Sequence, residues 1–254
     1  MTTQPVLFLA HGDPMNALYD NAFTRRLAKL GTELVKPSAV AVFSAHWFSR
    51  GTQVGGAANP ETIHDFGGFP EELYRQTYPA PGDPALAERI ASLLPGSAIA
   101  PNRGLDHGVW TVLKFLFPDA DVPVVPVSID VGASPSELIA QGRELSRLRQ
   151  ENVLVVGSGN VVHNVGMYFS RHDESPFAWA TDFDAYVSDA LVRQDIDALE
   201  HYQRAGASAH LAHPSDDHLL PLFPCLGAAA EDGVPTFPYQ EVVRSMSMRC
   251  VRWG

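Results

Sequence analysis

Ten histidines stand in a chain of 254 residues. Several adjoin glycine, proline, asparagine or aspartate, which are turn residues rather than core residues. His11 is followed by Gly12, Asp13 and Pro14, and His46 lies between Ala45 and Trp47. His163 comes soon after Gly157-Ser158-Gly159-Asn160, and His218 follows Ser215-Asp216-Asp217. Neutral imidazole is a ligand for iron, zinc, copper and nickel, and a ring that titrates near neutrality can move protons in catalysis. Metal chemistry is the leading reading, provided that the fold brings distant histidines together.

The elements that must do this are legible in the apolar pattern. Residues 6–10, 39–45, 122–129 and 153–157 are short apolar runs rich in β-branched residues and without strict alternation, as expected of strands covered on both faces. Between them, residues 22–35, 85–94, 110–117 and 135–149 carry helical patterns, with Pro84 suited to the first position of the second. Alternation of this kind predicts an α/β fold with a mostly parallel central sheet flanked by helices. Residues 51–84 read as a structured functional loop, and residues 245–251 as a weak edge strand.

In such a sheet, residues just past the strand C-termini gather on one rim, where ligands bind. His11 follows the first strand, His46 closes the second, and His163 lies beyond the strand at 153–157 and its glycine-rich turn. This geometry predicts a metal site at the rim. His218 is expected near a helix N-terminus, with Ser215 as the cap. His107 is expected in the turn before the helix that holds Trp110, and His64 in the long loop. His172, His201, His210 and His213 lie in polar stretches and read as solvent-exposed.

Composition narrows the function classes. The net charge of −11 disfavours nucleic acid and anionic membranes as partners. No apolar run is long enough to span a bilayer, and the first residues lack the charged and apolar regions of a signal peptide. Two cysteines, Cys225 and Cys250, are too few for a thiolate cluster and fit a reducing cytoplasm. There is no HExxH, no phosphate loop and no Gly-x-Ser-x-Gly elbow, so Ser158 with His163 makes a poor serine hydrolase. Neither repeat nor linker divides the chain, which predicts one domain over residues 1–254; no obligatory protein partner is inferred, and the oligomeric state stays open.

Six motifs then take on a joint meaning: His11-Gly12-Asp13-Pro14-Met15-Asn16, Ser44-Ala45-His46-Trp47, the run from Thr62 to Pro70, Leu105-Asp106-His107-Gly108-Val109-Trp110, the run from Gly157 to Asn164, and the run from Pro214 to Leu222. In this order they resemble the 4,5-DOPA extradiol dioxygenase-like branch of the class III (LigB-type) ring-cleaving dioxygenases. The resemblance implies a metal held by His11, His46 and His218. It implies that His163 is the acid–base histidine or a fourth ligand, that His107 assists at substrate or dioxygen, and that His64 lines the substrate pocket. Iron(II) is the cofactor expected for activity, with zinc(II) plausible as the bound metal. The partners would be a small catechol and O2, and the product a muconic semialdehyde. A zinc-dependent hydrolase and a non-catalytic metal-binding or interaction protein are the competing readings.

Overall fold

The computed structural model describes residues 3–170 and 172–254. The strands are β1 (Val6–Ala10), β2 (Ala39–Ser49), β3 (Gln53–Gly55), β4 (Ala98–Ala100), β5 (Val124–Asp130), β6 (Val153–Gly159), β7 (Thr236–Tyr239), β8 (Val242–Val243), β9 (Met246–Ser247) and β10 (Cys250–Trp253). The helices are α1 (Ala22–Glu33), α2 (Glu71–Tyr74), α3 (Pro84–Leu93), α4 (His107–Leu116), α5 (Pro135–Leu145), α6 (Val165–Tyr168), α7 (Ala178–Arg193), α8 (Ile196–Glu200), α9 (Ala207–Ala212) and α10 (Leu222–Ala228). Among the described residues, none forms a helix long and apolar enough to cross a membrane.

Eight strands form one sheet in the order β4-β3-β5-β2-β6-β1-β10-β7. The central four, β5, β2, β6 and β1, run parallel, while β10 and β7 close one side antiparallel. Alternate side chains of each central strand enter opposite layers, as a pleated strand requires. Leu7, Leu9, Val40 and Val42 pack under α1 and α4 with Leu27, Leu30, Val109 and Trp110. Val6, Phe8, Ala41 and Phe43 face α3, α5 and α10, with Phe183 and Val187 of α7 in the same layer. Local chemistry fixes the helix starts. Asn21 with Thr24 and Ser134 with Glu137 make reciprocal capping boxes, and Pro84 and Pro135 each sit in the first turn behind a capping side chain.

The structure corrects several boundaries. β2 continues to Ser49, so His46 lies inside the strand, and the register against β5 shifts between Phe43 and Phe48. That irregularity frees the His46 segment from the regular ladder. Gly157-Ser158-Gly159 is the end of β6 rather than a turn. Residues 51–84 contain β3 and α2. The segment at 245–251 is divided between a small β8–β9 hairpin and β10, which lies inside the sheet with β7 as its outer neighbour. α7, with Phe183, Val187, Ala190 and Leu191 buried, is a further helix beyond the four expected from the apolar pattern.

Candidate metal centre and active site

His11 leaves β1 at the sheet rim, and its backbone N–H bonds the Gly159 carbonyl at 3.3 Å. The next residue, Gly12, has φ +61°, and a Cβ there would lie 2.7 Å from the Met248 sulfur. Glycine is therefore needed for both conformation and space. His218 is not on an α-helix N-terminus. It ends a three-residue 3-10 turn, Asp216–His218, and the Ser215 hydroxyl bonds Asp217 instead of capping a helix. The His218 carbonyl accepts from Asn160 N–H at 2.8 Å, which fixes this turn to the end of β6. Gly159 allows the approach, since a Cβ there would meet the same carbonyl at 2.2 Å.

His11, His46 and His218 converge as a metal-binding group. Their ring centroids are 4.9, 5.1 and 4.9 Å apart, a nearly equilateral triangle. Hydrogen bonding decides the protons. Ser158 Oγ donates to the Gly108 carbonyl, so its single proton is committed. It must accept from His11 Nδ1, 3.0 Å away, which leaves His11 Nε2 with a lone pair. His46 presents Nδ1 to the Asp65 carboxylate at 3.4 Å, which favours an unprotonated Nε2 there as well. Yet the two Nε2 atoms lie 3.1 Å apart. A proton on one of them can bridge the pair, or both lone pairs can point at one shared cation. Nitrogens at about 2.0–2.1 Å from a common metal stand about 3 Å apart. Neither nitrogen of buried His218 has a hydrogen-bond partner among the described residues. Its Nδ1 is 3.1 Å from Asp217 Oδ1 but misaligned, and that oxygen already accepts the His218 backbone N–H. These three side chains fit a metal ion.

Electrostatics point the same way. Burial, reinforced by the neighbouring histidines, holds His11 and His218 well below the ordinary value of 6.5. Burial likewise brings His46 to about 3 and His163 to about 4. All four are neutral donors near pH 7, as metal ligation and base catalysis require.

His107 is the first residue of α4 rather than part of a preceding turn. Its Nδ1 and its backbone N–H both donate to Asp65 Oδ1, each at 2.9 Å. Burial alone would raise the Asp65 carboxyl, but the hydrogen bonds and charge of His107 outweigh it and bring it to about 2. Fully buried Asp106, just before α4, accepts from Ser44 Oγ and Arg103, each at 2.6 Å, and ties α4 to β2.

His163 is outside the three-histidine group. Its ring lies flat on His218, with centroids 3.4 Å apart and planes at 7°. His46, His107 and His163 line a cavity of about 160 Å³, walled also by Phe69, Val165, Tyr168, Phe169 and Met246. His64 is not on that wall. It bonds the Gln76 carbonyl at 2.9 Å and packs behind Phe66, whose ring touches His107 at 5.5 Å. His172, His201 and His210 are exposed as expected. His213 is buried, a correction, because its Nε2 is spent on the Val161 carbonyl at 2.7 Å. No role for Asp65 follows from the sequence motifs, and Ser158 stands out there only as a possible nucleophile. Asp65 carried a signal, as an acid beside a histidine in an aromatic loop; the pairing of Ser158 with His11 across β6 and β1 carried none.

The comparisons with known proteins agree with this geometry. Residues 5–248 match the family described as the catalytic LigB subunit of aromatic ring-opening dioxygenase. Over its whole length the chain is 43% identical to the 4,5-DOPA dioxygenase extradiol of Escherichia coli (strain K12), covering 96% of that protein. It is 36% identical to the 4,5-DOPA dioxygenase extradiol of Beta vulgaris, over 89% of this chain and 87% of the relative. The crystal structure of an uncharacterized protein from Escherichia coli K12 superposes with a TM-score of 0.86 at 40% identity, over 99% of this chain and 100% of that one. The chain therefore belongs to the LigB family, in the 4,5-DOPA extradiol dioxygenase branch of the class III ring-cleaving enzymes. It is an extradiol dioxygenase with a non-haem metal site, which sets aside the non-catalytic reading.

Proposed function

We propose that the enzyme opens the ring of a catechol, DOPA-like or otherwise small, with O2 beside the two hydroxyls to give a muconic semialdehyde. The observation that carries this reading is the convergence of three neutral histidines, His218 with neither nitrogen hydrogen-bonded and His46 opening onto an apolar cavity that two further histidines line. The names of the relatives support the catechol class. We assign iron(II) as the metal of the active enzyme, with zinc(II) able to occupy the same nitrogens. When bound, iron(II) supplies the redox chemistry that lets dioxygen react with a catecholate.

The protein's own groups do the rest. His11, His46 and His218 hold the metal. Phe69, Tyr168, Phe169 and Met246 give an aromatic ring an apolar surface and exclude water. Neutral His163, on the cavity wall and outside the ligand triangle, takes the phenolic proton and returns it at ring opening. His107, anchored through Nδ1 to Asp65, presents its ring to the cavity, where Nε2 can hydrogen-bond the substrate. His64 acts on the substrate through the aromatic wall it supports. Residues 1–254 work as one catalytic domain, on small molecules, in the cytoplasm.

The test is anaerobic reconstitution with Fe(II), addition of a catechol panel that includes DOPA, and admission of air. Oxygen uptake with a yellow ring-opened product is expected, and its loss in His11→Ala and His218→Ala. His163→Ala should retain its metal while turnover falls about 10²–10⁴-fold. No uptake across the panel, with zinc-dependent ester or amide cleavage instead, would overturn the reading in favour of a hydrolase.

A further inference from the structure

Three neutral histidines bring no negative charge to a divalent metal, unlike the two-histidine, one-carboxylate face common among iron(II) oxygenases. Two carboxylates stand beside the ligand histidines: Asp217, 3.1 Å from His218 Nδ1, and Asp65, which alone sits between two rings, those of His46 and His107. Oδ1 accepts two N–H groups of His107 at 2.9 Å, and Oδ2 faces His46 Nδ1 at 3.4 Å. The His46 and His107 rings are themselves 3.9 Å apart by centroid. A carboxylate behind a ligating imidazole fixes the ring's tautomer and makes its free nitrogen a better donor.

We propose that Asp65 is the positioning residue that supplies, from behind His46, the negative charge that the ligand set lacks, and that it locks His107 to the same frame. The proposal rests on His11, His46 and His218 being the metal ligands. One carboxylate thereby serves a ligand on one side and a substrate-facing ring on the other. A displacement of the loop that carries Asp65 would disturb metal and substrate together.

Asp65→Asn separates charge from scaffolding. Its amide oxygen can still accept both His107 N–H groups, but an uncharged amide then faces His46. The metal-free wild type and variant are titrated with zinc(II) against a chromogenic chelator, with near-UV circular dichroism as the check of fold. The expected result is zinc affinity lowered about 10–100-fold with native dichroism, and a fall in kcat larger than the rise in KM once iron is loaded. Asp65→Glu, which keeps the charge, should recover part of the affinity. Wild-type zinc affinity in a natively folded Asp65→Asn protein would overturn the proposal. Should that variant not fold, an Asp65→Glu affinity no better than that of Asp65→Ala would overturn it equally. Zinc titration needs no catechol, so a wild type that binds zinc but opens no ring would refute the proposed reaction while leaving the Asp65 result standing.

Discussion

Ser158 shows how much a single buried hydroxyl can decide. Its proton is committed to the Gly108 carbonyl, so it can only accept from His11. Ser158→Ala would leave a buried imidazole N–H without a partner, at a cost of about 1–3 kcal/mol, and free His11 to take the other tautomer. Zinc affinity should fall about 10–100-fold in a folded protein; an affinity equal to that of the wild type would show that His11 is oriented by packing alone. At this scale the sequence was informative about residue type and poor about partnership. His11 and His46 stood out because each follows or lies in a strand near the rim. The placement of His163 near them was equally legible, yet its flat stacking on His218 rather than membership of the triangle depends on χ angles that spacing does not encode. His213 looked exposed in its polar surroundings, and only the fold shows that its ring closes on the Val161 carbonyl.

At the level of elements, the site depends on close approach between β6 and the segment from His218 to α10. Gly157 faces the Pro221 carbonyl, where a Cβ would sit at 2.4 Å, and Gly159 faces that of His218 at 2.2 Å. Neither backbone carbonyl can yield as a flexible side-chain end would. Gly159→Ala should therefore destabilise the fold by about 1–3 kcal/mol and weaken metal binding by displacing His218. An unchanged urea midpoint would refute this packing account. The strands β1, β2, β5 and β6 were readable because doubly covered strands are continuous apolar runs. β3 and β4, three residues each, are too short to show a period. The turn at His218 was misread because Ser-Asp-Asp before apolar residues has the composition of a helix start. Pro221 stands at the N-cap of α10, which begins only at Leu222 and carries Pro224 in its first turn.

Across the whole molecule, four neutral histidines, two of them buried and two half-buried, make the metal-free state sensitive to acid. His46 at about 3, His163 at about 4, and His11 and His218 well below 6.5 stay unprotonated in the fold. The unfolded chain takes up those protons near 6.5, so it binds more protons than the native state as pH falls, and stability declines with it. The metal-free protein should lose thermal stability between pH 7 and pH 5, above the carboxylate range, and zinc should restore much of it at pH 7 by binding only the native state. A flat Tm over that interval would mean that the histidines are not held neutral. The α/β class and the rim position of the site followed from the order of strands and helices alone, since a parallel sheet places its ligands at one edge whatever the residues are. The chemistry at that edge depended on the histidine identities.

The central claim is that this cluster inserts dioxygen into a catechol beside its hydroxyls. The most direct measurement is the mass of the product formed by iron-loaded enzyme from a catechol under ¹⁸O₂. The account predicts a ring-opened semialdehyde carrying oxygen from ¹⁸O₂, absent with His11→Ala. A quinone or any other product without the label would contradict it.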